Sequence, residues 1–166
     1  ESSNSDHEKM PSHISRSCVD IYYVVVGLLG LPRQIAESLA AQGIKEVYHW
    51  QAECFQCEEV NSKGKNILCS APTSGGKSLV AELLMLRRIF SGNYKKALYV
   101  LPFTSIVNEK LSSLKGLLRR YNSMQVSKSK KIGVKAFAGS KRSYLGRDTN
   151  IAICTIEKAN SIINRM

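Results

Sequence analysis

A parallel α/β sheet flanked by helices is the fold class predicted by this 166-residue sequence, and three observations carry it. Short apolar runs of strand type alternate with longer runs of helical period. A glycine loop, Ala71-Pro72-Thr73-Ser74-Gly75-Gly76-Lys77-Ser78, stands where one such strand hands over to a helix. Polar clusters at 71–78, 102–105, 139–142 and 155–158 each follow an apolar run, which places all four on one rim of a parallel sheet.

Each element has its own warrant. Glu1 to Ser17 is polar and serine-rich, so residues 1–20 are expected to form a disordered lead-in before a single domain over 21–166. The apolar stretch Ile21 to Leu31 is too short for a bilayer span, which needs ~20 residues, and reads as a buried strand or strand-turn. Pro32 opens a helical pattern, Arg33 to Gln42, with Gly43 just past its end. Val47 to Gln51 leads into a second helical stretch ending near Asn61, followed by turn chemistry over 61–65. A first strand is predicted over 67–70 and a helix over 77–90, broken by Ser91-Gly92-Asn93. Ala97 to Leu101 is a second strand, stopped by Pro102. Thr104 then caps a helix running to about Tyr121, with apolar residues at 106, 107, 111, 114, 117 and 118. After a lysine-rich loop, Ser123 to Lys131, a third strand is predicted over Ile132 to Ala138 and a fourth over Asn150 to Cys154. A last helix runs from Ile156 to Met166.

Composition narrows the partners. The hydrophobic share of 43% is ordinary for a globular domain, but 24 Lys and Arg against 13 Asp and Glu give a net charge of +11. Between Lys95 and Arg147 there are thirteen Lys and Arg, and Glu109 is the only acid. Such an excess suits a polyanionic partner, or else a solvated lysine-rich surface. Five cysteines, an odd number, and no signal peptide argue for reduced thiols in cytosol or nucleus. Cys54 and Cys57 form a C-x-x-C on one helix face, but no second pair completes a zinc site, so packed free thiols are expected.

The glycine loop carries the chemistry. It departs from G-x-x-x-x-G-K-[S/T] by one residue, since Ala71 stands at the usual first glycine. A strand, a glycine loop and a helix N-terminus bring backbone N–H groups together on polyphosphate. Gly75 and Gly76 allow close approach, Lys77 reaches the β- and γ-phosphates, and the Ser78 hydroxyl is a Mg²⁺ ligand. The bland alternative is a glycine turn ahead of a helix.

In order along the chain, Tyr48-His49-Trp50-Gln51-Ala52-Glu53-Cys54, the loop 71–78, Leu79-Val80-Ala81-Glu82, Leu101-Pro102-Phe103, Glu109-Lys110, Ala138-Gly139-Ser140-Lys141 and Cys154-Thr155-Ile156-Glu157-Lys158 resemble the superfamily-two helicases of the Ski-like group. Within that group the resemblance is to the helicase domain of polymerase theta and to the polymerase-theta-like helicases. Thr-Ser-Gly-Gly-Lys, Ala-Gly-Ser-Lys and Thr-Ile-Glu-Lys incline it to the latter. It covers about Gly30 to the end, and Glu1 to Leu29 match nothing recognisable.

The resemblance implies a partial, first RecA-like P-loop NTPase domain that binds ATP and Mg²⁺. It assigns Gln51 to the adenine edge, where a carboxamide can both donate and accept, although a polar residue opening a helix would also explain it. It assigns Ala71, Pro72, Thr73, Ser74, Gly75, Gly76, Lys77 and Ser78 to the phosphates. Pro102 and Thr104, Ser140 and Lys141, and Thr155 and Lys158 are assigned to phosphates of one DNA strand, contacts that carry no sequence information and permit stepping. Singly these short motifs are weak; in this order behind a phosphate loop they are strong. The partner expected is single-stranded or forked DNA in the nucleus, with no membrane role, and the parent a DNA-repair helicase.

Residues 1–166 hold no D-E-x-H segment and no second RecA-like domain to supply an arginine finger, itself worth about 10³–10⁵ in rate. The isolated fragment is therefore expected not to turn over. The competing reading is a non-catalytic module that binds ATP or nucleic acid as a short product. A P-loop kinase or GTPase fits the loop but leaves Gln51 and the later motifs unexplained.

Overall fold

The computed structural model describes residues 18–57, 66–92, 96–139 and 145–165. Its centre is a three-stranded parallel sheet of β3 (Ala97–Leu101), β4 (Val134–Phe137) and β5 (Ile151–Thr155), in the order β3-β5-β4. A separate antiparallel pair, β1 (Cys18–Asp20) and β2 (Glu46–Tyr48), sets Val19 opposite Val47. Around these lie α1 (Arg33–Ala41), α2 (His49–Gln56), α3 (Lys77–Phe90), α4 (Thr104–Ser123) and α5 (Ile156–Ile163).

Period-two alternation along β5 explains why helices cover both faces. Ile151 and Ile153 are fully buried in the main core with Val107, Leu114 and Leu118 of α4. Cys154 points the other way, into a small cluster with Ala159 and Ile162 of α5. All five β5 residues are buried, as expected of a central parallel strand. The end of α4 is fastened to the strand beyond it by one side chain. Asn122 accepts from the Ile132 N–H at 2.8 Å and donates to the Ile132 carbonyl at 3.0 Å.

The α/β class, the helices at 33–41 and 77–90 and the strand at 97–101 agree with the sequence reading. α2 ends at Gln56, short of the expected end near Asn61, and the turn expected over 61–65 lies outside the described residues. Four further elements differ. Ile21 to Leu31 is not a strand: Tyr23–Leu28 is a π-helical turn. Ile21, Val24, Val25 and Leu29 are buried while Tyr22 and Tyr23 face solvent, a helical spacing that two adjacent tyrosines already betray. The run 67–70 forms no strand, and Leu68 is 96% exposed. Apolar content alone cannot make a strand, and no described strand pairs with this one. Thr104 is the first helical residue of α4 rather than its cap; Phe103 holds that position, and no side chain caps the helix. Cys18–Asp20, inside the expected lead-in, form β1, while the rest of that lead-in lies outside the described residues.

Among the described residues no helix is long and apolar enough to cross a membrane. Leu114 is wholly buried between α4 and the sheet. Leu114→Ala is expected to cost about 2–5 kcal/mol, from lost transfer energy plus a cavity, read as a lower urea midpoint with unchanged slope.

Candidate nucleotide and strand-binding site

The loop 71–78 is shaped by its own backbone. The Gly75 N–H donates to the Pro72 carbonyl at 3.0 Å. Ser74 and Gly76 both take positive φ, 65° and 79°. The Lys77 ammonium folds back over this turn and donates to the carbonyls of Ala71, at 2.5 Å, and Pro72, at 2.8 Å. Gly76 then caps α3 with no side-chain acceptor and no acid in the first turn, so the helix N-terminus opens positively towards the loop.

Gln51 holds that loop from the side. It is 1% exposed; its carbonyl oxygen accepts from the Tyr48 N–H at 2.8 Å, and its Nε2 donates to the Gly76 carbonyl at 3.0 Å. The close fit requires glycine at 76, since a Cβ there would lie 2.4 Å from the Gln51 Nε2. One amide hydrogen and one lone pair of Gln51 remain beyond these two bonds. Beside it is a cavity of about 470 Å³ lined by Cys18, Gly43 to Glu46, Tyr48, Gln51, Gly76 and Leu79. The contribution of residues 43–46 has no sequence signal other than the turn at Gly43.

On the same flank Cys54 is pushed up to about 11, by burial first and then by the neighbouring Cys69 thiol. Cys57 donates instead to the Glu53 carbonyl, at 3.5 Å. The two cysteines of the C-x-x-C thus turn to different partners.

The parallel register sets Leu101 beside Thr155, so Pro102 to Thr104 and Thr155 to Lys158 emerge side by side at one sheet edge. Pro102 and Thr104 are exposed, whereas Thr155 is 7% exposed. The Glu157 carboxyl is held low, first by its own backbone N–H and then by the Thr155 hydroxyl, so that hydroxyl already serves an anion. Gly139 ends the described part of the third cluster; Ser140 and Lys141 lie outside the described residues.

Part of the basic run is internally committed. Lys96 donates to the carbonyls of Gly146 and Thr149, at 2.8 and 2.9 Å. Lys110 pairs with Glu82 at 2.7 Å, Arg120 with Glu37 at 2.8 Å, and Lys135 with Asp148 at 2.9 Å.

A glycine loop feeding a helix, beside a parallel sheet edge carrying paired polar turns, defines a P-loop nucleotide-binding domain. The DEAD/DEAH box helicase family profile matches residues 48–166, and the chain belongs to that family. It is 40% identical over 139 residues to DNA polymerase theta of Mus musculus, covering 82% of this chain and 5% of that protein. It is 35% identical over 141 residues to Helicase POLQ-like of Homo sapiens, 82% and 12%, so these identities do not favour the polymerase-theta-like branch. To ATP-dependent DNA helicase Hel308 of Methanocella arvoryzae it is 32% identical over 140 residues, covering 81% and 17%. The chain thus spans a small part of the curated relatives it matches. The DUF1998 helicase MrfA bound to DNA shares the fold, with a TM-score of 0.56 at 24% identity over 75% of this chain and 17% of that one.

Gln51→Leu keeps the volume but leaves the Tyr48 N–H and the Gly76 carbonyl without their partner. A loss of about 1–3 kcal/mol for a buried group so orphaned is expected in chemical denaturation.

Proposed function

We propose that residues 21–166 are the front part of a first RecA-like helicase domain, which binds ATP with Mg²⁺ and contacts the phosphates of a single DNA strand. The observation that carries this is the loop 71–78, pinned to Gln51 at the uncapped start of α3 and bordering a cavity. The donor set fits a nucleotide polyphosphate. Lys77 spends two of its three N–H donors on loop carbonyls, Ser78 is exposed at the first turn of α3, and no acid competes there. Gln51, Tyr48 and residues 43–46 would receive the base, Ala71 to Lys77 the phosphates, and Ser78 the metal. Bound ATP supplies a hydrolysable phosphoanhydride; the residues present here orient it and neutralise its charge.

The strand would run along the edge formed by Pro102, Thr104, Thr155 and Lys158, with Ser140 and Lys141 as the third contact. Matches to DNA polymerase theta and ATP-dependent DNA helicase Hel308 support a parent acting on DNA; we extend this reading to repair in the nucleus on single-stranded or forked substrates. The polypeptide 1–166 on its own would bind without turnover, since it holds no D-E-x-H carboxylates.

Isothermal titration with ADP is expected to give binding for the wild type and none for Lys77→Ala, because a charge-assisted contact to the phosphates is lost. In a coupled assay neither protein should show DNA-stimulated ATP hydrolysis; turnover that needs Lys77 would contradict the reading.

Fluorescence anisotropy with unlike single-stranded oligonucleotides should give one affinity for all sequences. That affinity should fall with salt at a log–log slope of about −0.7 per phosphate neutralised. Thr155→Ala should weaken every sequence equally. Glu157→Gln removes an anion from the same edge and leaves the Thr155 hydroxyl only a neutral acceptor, and should tighten binding about two- to fivefold.

A further inference from the structure

Glu82 is an acid within the apolar run of α3, and its side chain is 8% exposed. One of its oxygens, Oε1, accepts from the Lys110 ammonium of α4 at 2.7 Å and from the Tyr99 hydroxyl of β3 at 3.3 Å. Glu82 stands one helical turn beyond Ser78, on the same face of α3, so the Tyr99 hydroxyl that meets Glu82 also lies towards Ser78. Four side chains from three elements are thus brought together, Ser78, Tyr99, Glu82 and Lys110, with Glu82 bonded to both Tyr99 and Lys110.

The chemistry of the groups fixes the direction of each bond. A carboxylate paired with an ammonium is acceptor only, so Tyr99 gives its single proton to Glu82. The Tyr99 oxygen can then only accept, so towards it the Ser78 hydroxyl can act only as donor. With its proton turned inward, the Ser78 oxygen presents its lone pairs away from Tyr99, as a ligand to a cation must. Stability does not explain the arrangement, because taking a Glu–Lys pair out of water offsets most of its attraction.

We propose that Glu82 is a positioning residue that, through Tyr99, orients the Ser78 hydroxyl for the divalent cation bound with nucleotide, and through Lys110 ties that site to the helix that opens at the strand-binding edge. The proposal rests on the nucleotide- and strand-binding reading above and adds to it the wiring between the two sites. Lys110 is one of the residues that carry the sequence resemblance, and its ammonium is turned inward onto Glu82.

The test is ADP titration of the full 166-residue chain, with Mg²⁺ or with EDTA, and with or without a saturating oligothymidylate. Tyr99→Phe removes one oxygen and should lose about three- to tenfold of the affinity gained from Mg²⁺, with affinity in EDTA unchanged. Glu82→Gln should behave alike. Lys110→Met should abolish the change in Mg²⁺–ADP affinity produced by the oligonucleotide, and by linkage the reciprocal change in oligonucleotide affinity, while Lys110→Arg retains both. A purely structural role would lower ADP affinity equally with and without Mg²⁺, and that result would overturn the proposal. So would a Tyr99→Phe protein with the full Mg²⁺ gain, or an oligonucleotide effect that survives Lys110→Met. A wild type that binds no ADP would instead overturn the underlying reading, and this proposal with it.

Discussion

The nucleotide end of the domain depends on one carboxamide. The segment 66–70 ahead of the phosphate loop is paired to no described strand, so the loop is not held in place by a sheet ladder. Gln51 takes over that task, holding the Tyr48 N–H and reaching the Gly76 carbonyl twenty-five residues further along the sequence. Because it is buried, the two bonds are made in a low-dielectric setting where leaving them unmade would be costly. The left-handed Gly76 and the absence of a Cβ there follow from the same contact. A residue that the resemblance assigns to base recognition is thus first a structural clamp, and any base it reads is read by a group whose orientation the phosphate loop has already set.

What could be read from the sequence follows the range of the interactions involved. The bounds of α3 were legible because glycine, a long apolar run and a break at Ser91-Gly92 are local signals. The strand at 97–101 was legible for the same reason, with Pro102 as its stop. The run 66–70 was misread because apolar composition is local but strand pairing is not. The turn at 23–28 was misread because glycine and β-branched residues outweighed the weaker hint of two adjacent exposed tyrosines. At the site, the residues of the glycine loop were all legible from motif and order. The Gln51–Gly76 bond and the Glu82–Lys110 pair were not, since they join positions 25 and 28 residues apart. One hint of the latter did exist: an acid in the apolar run Leu79 to Leu84 must find a partner or stay in water.

The basic run shows how charge counts mislead without geometry. Thirteen cations between Lys95 and Arg147 suggest a strongly attractive surface. Four of them, Lys96, Lys110, Arg120 and Lys135, are bound to carbonyls or acids of the same domain. Their field still adds to long-range attraction, but at contact they are partly neutralised. A strand approaching the sheet edge would therefore meet backbone amides and hydroxyls at the starts of α4 and α5 rather than a row of free ammonium groups. That suits a surface that grips phosphates at fixed points, since a helix start offers directed donors at one height while a lysine tail offers a diffuse charge.

The two functional edges are then linked by ordinary packing with one polar seam. α3 begins at the phosphate loop and α4 begins at the sheet edge beside Thr155, and both contribute to the main core. The apolar side chains that both helices give to that core transmit position without regard to charge. The Tyr99–Glu82–Lys110 seam differs because its hydrogen bonds have a direction, and a change of charge at one end alters what the other can donate or accept. Burial and the Glu82 carboxylate push the Tyr99 phenol up to about 12, so it keeps its proton throughout the neutral range and the polarity of the seam does not reverse. A fixed polarity would let such a seam hold a neighbouring hydroxyl in one orientation, and an apolar replacement of the same shape would preserve the packing while losing that constraint.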